Sequence, residues 1–177
     1  EWAAMALGAR TVTLYPDSTA EEIAYAANDS GTVCMFAEDQ EQVDKALEAL
    51  KSNPGIHTIF YCEGGGLWDY SVPQLHSLEQ LQGLGELQPQ GTTSIEDEIL
   101  VGRADDIALL AYTSGTTGQP KGVVTTYRSL LDCSERLRRA LDITPGCEYL
   151  SYIPLSWVPE QWFGVTLGMS LPMTVSF

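Results

Sequence analysis

Basic side chains are scarce in this chain. Of its 177 residues 9 are Lys or Arg against 24 Asp or Glu, a formal net charge of −15. A nucleic-acid surface neutralises phosphates with Lys and Arg, so this composition argues against a nucleic-acid partner. Histidine is scarcer still: His57 and His76 are the only two. The four cysteines, Cys34, Cys62, Cys133 and Cys147, form no C-x-x-C pair and none sits beside a histidine, so no structural zinc site is expected. Cys34, Cys62 and Cys147 lie in or beside apolar, strand-like stretches and are expected as reduced core residues of a cytosolic protein. No apolar run reaches the roughly 18 residues that a membrane-crossing helix needs. The chain opens on Glu1 and Trp2 rather than on a basic signal segment, so neither a membrane span nor a secretion signal is expected. Collagen-like, disulfide-scaffold and strongly disordered compositions are excluded as well.

What is present suits a packed core: 44% of the residues are hydrophobic, enough for one ordinary domain or two small ones. The charge is uneven. Residues 1–105 carry 4 basic and 18 acidic side chains, residues 106–177 carry 5 and 6, so the second segment faces an anion more comfortably. β-rich runs at Thr11–Tyr15, Thr32–Phe36 and His57–Cys62 alternate with helical patterns at Ser18–Asn28 and Asp39–Lys51. That alternation predicts an α/β fold of βαβ layers on a mostly parallel sheet. Ser18 and Glu21 have capping-box spacing, and Asn53-Pro54-Gly55 ends the second helix. From Leu67 to Arg103 glycine and proline break the period, which predicts one or two short helices in a surface connection, with His76 in a polar helix.

The pattern sharpens at Ile107–Tyr112, a continuous apolar run suited to a buried strand. Beyond it the spacing predicts a short strand at Val123–Thr125 and a helix at Tyr127–Leu141 with Leu130, Leu131, Leu137 and Leu141 on one face. A strand at Glu148–Ile153, a helix at Trp157–Met169 and a strand at Met173–Phe177 complete it. The organisation expected is a βαβ segment over 1–105 with its surface connection and a second segment over 106–177, both ends reading as cut from a longer chain.

Between the buried strand and the next one runs Tyr112-Thr113-Ser114-Gly115-Thr116-Thr117-Gly118-Gln119-Pro120-Lys121-Gly122-Val123. Hydroxyls at 113, 114, 116 and 117 interleave with Gly115 and Gly118, so backbone N–H and side-chain O–H groups can converge on phosphate oxygens, and Lys121 supplies a cation. A Walker loop requires G-x-x-x-x-G-K-[ST]; here Pro120 precedes the lysine and Gly122 follows it, so the magnesium-binding hydroxyl is missing from its place. A merely solvated turn would not gather four hydroxyls, two glycines and a lysine directly after a buried strand.

These twelve residues resemble the phosphate-binding motif of the adenylate-forming (AMP-binding) superfamily, usually written YTSGTTGxPKGV. That superfamily holds acyl-CoA synthetases, luciferases and peptide-synthetase adenylation domains. Two softer stretches resemble segments of long-chain fatty acyl-CoA synthetases: Leu14-Tyr15-Pro16 with Ser18, Glu21, Glu22, Ile23, Ala24, Tyr25, Asn28, Asp29 and Ser30, and the run Tyr149–Gln161, which is similar to YLPLAHxxE or YLPLAWxxE. All three occur in the family's order. The resemblance implies a partial N-terminal domain of the acyl-CoA synthetase/luciferase-like fold, with the C-terminal domain absent. It implies ATP, Mg²⁺ and coenzyme A as cofactors and a fatty acid as substrate. The acid would be activated as an acyl-adenylate with release of pyrophosphate and then passed to the thiol.

By the same resemblance Thr113, Ser114, Gly115, Thr116, Thr117 and Gly118 would wrap the triphosphate, Thr113 would offer a hydroxyl to Mg²⁺, and Lys121 would be catalytic through phosphate charge. Trp157 stands where many relatives have a histidine lining the substrate pocket; a core aromatic on a helix face is the competing reading. Glu21 with Glu22 and Asp105 with Asp106 read as a helix face and a strand entry rather than acid/base pairs. The Arg136, Arg138, Arg139 cluster reads as a solvated helix face. The family's adenine, ribose and hinge segments and its C-terminal lysine have no match here. A fragment inactive alone is therefore expected, its parent cytoplasmic with peripheral membrane association. A non-catalytic nucleotide-binding module, or an adenylating enzyme for another carboxylic acid, remains the alternative.

Overall fold

The computed structural model describes residues 1–87, 94–113 and 119–176. The chain divides into two compact units, Glu1–Tyr15 together with Thr93–Phe177, and Pro16–Thr92. The first opens with α1 (Trp2–Ala6) and β1 (Thr11–Thr13). The second runs α2 (Ala20–Ser30), β2 (Cys34–Ala37), α3 (Gln40–Ser52), β3 (Thr58–Tyr61), β4 (Leu75–Ser77) and α4 (Leu78–Glu86). The chain then returns to the first unit with α5 (Ile95–Val101), β5 (Ile107–Thr113), β6 (Lys121–Thr126), α6 (Tyr127–Ala140) and β7 (Glu148–Leu150). A short α7 (Val158–Glu160), a π-helical stretch Gln161–Leu167, α8 (Gly168–Ser170) and β8 (Thr174–Ser176) close the described chain. The architecture is the mixed α/β one expected, with parallel pairing everywhere except between β5 and β6.

In the second unit β2, β3 and β4 form a parallel sheet in which Phe36 faces Phe60 and Phe60 faces His76. Its core joins Ala27 of α2, Val43 and Ala46 of α3, Ala37, Ile59, Ile56 and Leu67. Ile59 and Val43 are fully shielded, and each such side chain contributes roughly 1.5–3 kcal/mol by leaving water. The capping box of α2 lies one residue later than Ser18 and Glu21. Thr19 has the extended backbone of an N-cap, its hydroxyl accepts from Glu22 N, and the Glu22 carboxylate accepts from Thr19 N at 2.8 Å. The pattern occurs twice in adjacent frames, and the second one is used.

Other expectations are corrected. Cys34 and Cys62 are exposed and Cys147 is half-buried; for Cys34 the cause is the alternation of β2, in which Met35 and Ala37 face α3 while Cys34 and Phe36 face away. His76 sits on β4 rather than on a helix, its ring 6.0 Å from that of Phe60. On α6 the inward stripe is Tyr127, Leu130, Ser134 and Leu137, at i, i+3, i+7 and i+10; Leu131 and Leu141 are exposed, since a residue adjacent to Leu130 is rotated about 100° from it. The helix read over Trp157–Met169 is α7, the π stretch and α8 in succession.

In the first unit β1, β5 and β6 make one sheet, with β7 and β8 as a separate parallel pair. Met5, Ala108, Leu130 and Val165 form its core, flanked by Tyr127 and Trp162. Two bonds tie the helices around that core: Tyr127 O–H donates to the Met5 carbonyl at 2.9 Å and Ser134 Oγ to the Trp162 carbonyl at 3.1 Å. Among the described residues no helix is long and apolar enough to cross a membrane.

On the outer side of α6 the Glu135 carboxylate accepts from Arg138 at 2.6 and 2.9 Å and from Arg139 at 2.7 Å. These bonds hold its pKa down at about 2, from a usual 4.5. A depressed carboxylate pKa stabilises the fold above the unfolded-state value and ceases to do so as pH falls through the folded one. Glu135→Gln is thus expected to melt slightly below the parent chain at pH 7, and the gap is expected to close between pH 4.5 and about 2 in thermal scans.

Candidate functional site

The apolar run at Ile107–Tyr112 is explained by its place in the sheet. β5 is paired along both edges, parallel to β1 and antiparallel to β6, and Ala108 packs on Met5, Leu130 and Val165. A central strand has little contact with water, so it needs no polar alternation. Burial ends at Thr113, which is exposed.

The antiparallel register sets Ala111 against Val123, Tyr112 against Gly122, and Thr113 against Lys121. Opposed residues in such a pair share a sheet face, with Cβ atoms about 4.5–5.5 Å apart. The mouth of the hairpin therefore presents one hydroxyl and one ammonium side by side, both exposed, as the two flanks of the seven-residue connection Ser114–Pro120. Ser114, Gly115, Thr116, Thr117 and Gly118 lie outside the described residues. β6 is longer than the strand read from Val123–Thr125, because Lys121 and Gly122 already pair with β5. Thr126 ends it by capping α6, its hydroxyl accepting from Ser129 N.

Lys121 has no ion pair among the described residues, in contrast to Arg128, Arg138 and Arg139 of the same unit. Arg128 is held in a double bond pair by Asp105 at 2.7 and 3.2 Å, and Arg138 and Arg139 share Glu135. Arg10 and Arg103 stand at the amino-terminal ends of β1 and β5, the opposite edge of the sheet from Thr113. The charge left open at the hairpin mouth is thus that of Lys121. β1 ends at the same edge, Thr13 beside Ala111, and the Thr13 hydroxyl is buried without a hydrogen-bond partner among the described residues. Carboxyl ends of adjacent parallel strands are where open α/β sheets take ligands.

Gly122 is closely approached by its neighbour. A Cβ at this position would meet Tyr112 ring and hydroxyl atoms at 3.2–3.5 Å, so the Tyr112 ring lies over the bare glycine backbone. Trp157 is placed elsewhere in the unit. It is the extended N-cap of α7, half exposed, its N–H donating to the Pro154 carbonyl at 2.9 Å and its carbonyl accepting from Glu160 N at 3.0 Å. Sequence reasoning singled out Trp157 and passed over Glu160, which is 2% exposed and bonded to Tyr149 and Ser151. The signal available was the glutamate near the end of the Tyr149–Gln161 run. Among the described residues no three His, Cys, Asp or Glu side chains gather as a metal site.

The sequence pattern of the AMP-binding enzyme family matches residues 1–177, the whole chain. This chain belongs to the AMP-binding enzyme family. Among curated proteins of this family it is 31% identical to the long-chain-fatty-acid–CoA ligase heimdall of Drosophila melanogaster, over 100% of the chain and 26% of that protein. It is 32% identical to the long-chain-fatty-acid–CoA ligase FadD15 of Mycobacterium tuberculosis, over 89% of the chain and 25% of that protein. The chain therefore spans about a quarter of the length of these relatives. In fold it is similar to acetoacetyl-CoA synthetase from Streptomyces lividans, with a TM-score of 0.74 at 19% identity, covering 97% of this chain and 26% of that one. It is also similar to the luciferase-like enzyme of the Zophobas morio mealworm, with a TM-score of 0.67 at 19% identity, covering 96% and 36%. The expected fold, a part of the N-terminal domain shared by AMP-binding enzymes, is the one found.

The Tyr112–Gly122 contact gives a direct test of the hairpin geometry in this AMP-binding chain. Gly122→Val forces the Tyr112 ring aside and is expected to cost about 1–3 kcal/mol in urea unfolding, as overpacking does, while Val123→Thr one step along the strand, at an exposed position, stays within about 0.5 kcal/mol.

Proposed function

We propose that this chain carries the phosphate-handling part of an ATP-dependent acyl-CoA synthetase acting on long-chain fatty acids. The observation that carries this reading is the pairing of Thr113 with Lys121 at the mouth of a hairpin whose connecting residues are Ser114–Pro120. In the reaction a carboxylate oxygen of the acid attacks the α-phosphorus of ATP. The bond to the β-phosphate oxygen breaks, its electron pair leaves with pyrophosphate, and an acyl-adenylate remains. The thiolate of coenzyme A then attacks the acyl carbon and AMP departs. Negative charge grows on the departing pyrophosphate, where fixed donors and a cation stabilise it more than they stabilise bound ATP.

Thr113, Ser114, Gly115, Thr116, Thr117 and Gly118 are the donors proposed for the triphosphate, and Lys121 the cation. The donor chemistry fits a magnesium ion held mainly by phosphate oxygens, with the Thr113 hydroxyl as a protein ligand, because Mg²⁺ usually keeps few protein ligands beside a nucleotide. That ion would neutralise phosphate charge. Trp157 is proposed to line the acid's pocket. A long-chain acid is delivered from membranes, so the proposed setting is the cytoplasm with peripheral membrane contact. The 31–32% identity to long-chain-fatty-acid–CoA ligases supports the substrate class.

The test is Lys121→Ala in a chain of the relatives' full length, read by palmitate-dependent ATP–pyrophosphate exchange. Loss of one stabilising charge is expected to slow exchange roughly 10²-fold or more, the scale seen when a single oxyanion donor is removed. An unchanged exchange rate would remove Lys121 from the mechanism. Absence of exchange from the unmutated protein with palmitate, octanoate, benzoate or acetate would favour a non-catalytic nucleotide-binding module.

A further inference from the structure

Among the described residues Glu160 is the only acidic or basic side chain in the buried class, at 2% exposure. A buried carboxylate is costly unless its oxygens are bonded, and here both are. Oε2 accepts from the Tyr149 hydroxyl at 2.6 Å and Oε1 from Ser151 Oγ at 2.7 Å. These are the lengths of charge-assisted O–H···O bonds. Tyr149 lies on β7 and Ser151 just past it, two residues apart and hence on one face of the strand. Ser151 N donates in turn to the Ser176 carbonyl at 2.7 Å, so the donors are themselves anchored to β8.

Room for the carboxylate is made by a missing side chain. A Cβ on Gly164 would lie 2.0 Å from Glu160 Oε1 and 2.9 Å from its Cδ, so any other residue there would displace the carboxylate from this position. Tyr149 is held a second way, stacked on Phe163 with ring centroids 6.0 Å apart. Burial, then the Glu160 carboxylate, pushes the Tyr149 hydroxyl well above its ordinary range, so it remains a donor at all physiological pH. The backbone at Glu160 passes from α-helical to π-helical, a geometry that costs energy and recurs at functional sites. Glu160 N donates to the carbonyl of Trp157, and Trp157 N to that of Pro154. The turn bearing Trp157 is thus fastened to β7 through one carboxylate.

We propose that Glu160 is a positioning residue: clamped by Tyr149 and Ser151, it fixes the turn that carries Trp157 and with it the wall met by the carboxylic acid substrate. Its functional part rests on the assignment of Trp157 to the acid's pocket. In this role its removal acts through Trp157 on the acid and leaves the phosphate side intact.

The test has two arms. The chain is labelled with 5-fluorotryptophan and the ¹⁹F resonance of Trp157, identified from Trp157→Phe, is followed in Tyr149→Phe, Ser151→Ala and Glu160→Gln. The first two each remove one hydroxyl and leave the carboxylate in place, so the clamp is tested even where Glu160→Gln unfolds. Trp157 is expected to shift or broaden in all folded variants while Trp68, in the other unit, stays fixed; an unmoved Trp157 overturns the clamp. In a protein of the relatives' length the same substitutions are expected to raise KM for the fatty acid roughly tenfold with KM for ATP within about twofold. Equal rises in both would make the role merely structural and overturn the proposal. A moved Trp157 with an unchanged acid KM would leave the clamp standing and overturn the acid-pocket reading of Trp157 instead.

Discussion

The pairing of β5 with β6 is the constraint on which the site depends. β5 is held on its other edge by β1 and on one face by Met5, Leu130 and Val165, so its register is fixed by the core. Slipping the β6 pairing by one residue would turn its side chains to the wrong face and bring a side chain against the Tyr112 ring. Gly122 under Tyr112 therefore sets the position of Lys121, one residue along, opposite Thr113. A cation and a hydroxyl are aligned at the sheet edge by packing that lies entirely behind them.

The second half of the same unit solves a different problem with polar groups. Glu160, Tyr149 and Ser151 form a buried and satisfied cluster, and Gly164 leaves the space for it. Gln161 beside it is also buried, its amide donating to the Leu155 carbonyl at 2.7 Å while its Oε1 has no partner among the described residues. An unmade buried bond costs about 1–3 kcal/mol. The π-helical stretch that follows Glu160 and this oxygen both belong to the segment proposed to meet the acid.

Much of this was legible in the sequence, and the failures have physical causes. β5 was readable because a strand paired on both edges is apolar throughout, and the family was readable because the hydroxyls, glycines and lysine of Tyr112–Val123 are contiguous. Helix caps were readable to within a residue: Thr19 and Ser18 offer the same spacing one step apart, and only the backbone distinguishes them. Cys34 was misplaced because an apolar run does not reveal which alternate residues face the helices. β4 was invisible, being only three residues long, just after Pro73, and paired among the described residues with β3 at the edge of its sheet. Glu160 could not be found as a buried group from its own segment, since its burial depends on Tyr149, Ser151 and an absent side chain at Gly164. The residues proposed to bind phosphate at 114–118 rest on sequence alone, and their flanks on structure.

The most direct test of the central claim is the amide spectrum of this 177-residue chain titrated with magnesium ATP. The account predicts that the largest ¹H–¹⁵N shifts run from Thr113 to Gly122 and that Lys121→Ala weakens the binding that causes them. Shifts centred away from the β5–β6 hairpin, or binding unaffected by Lys121→Ala, would contradict it.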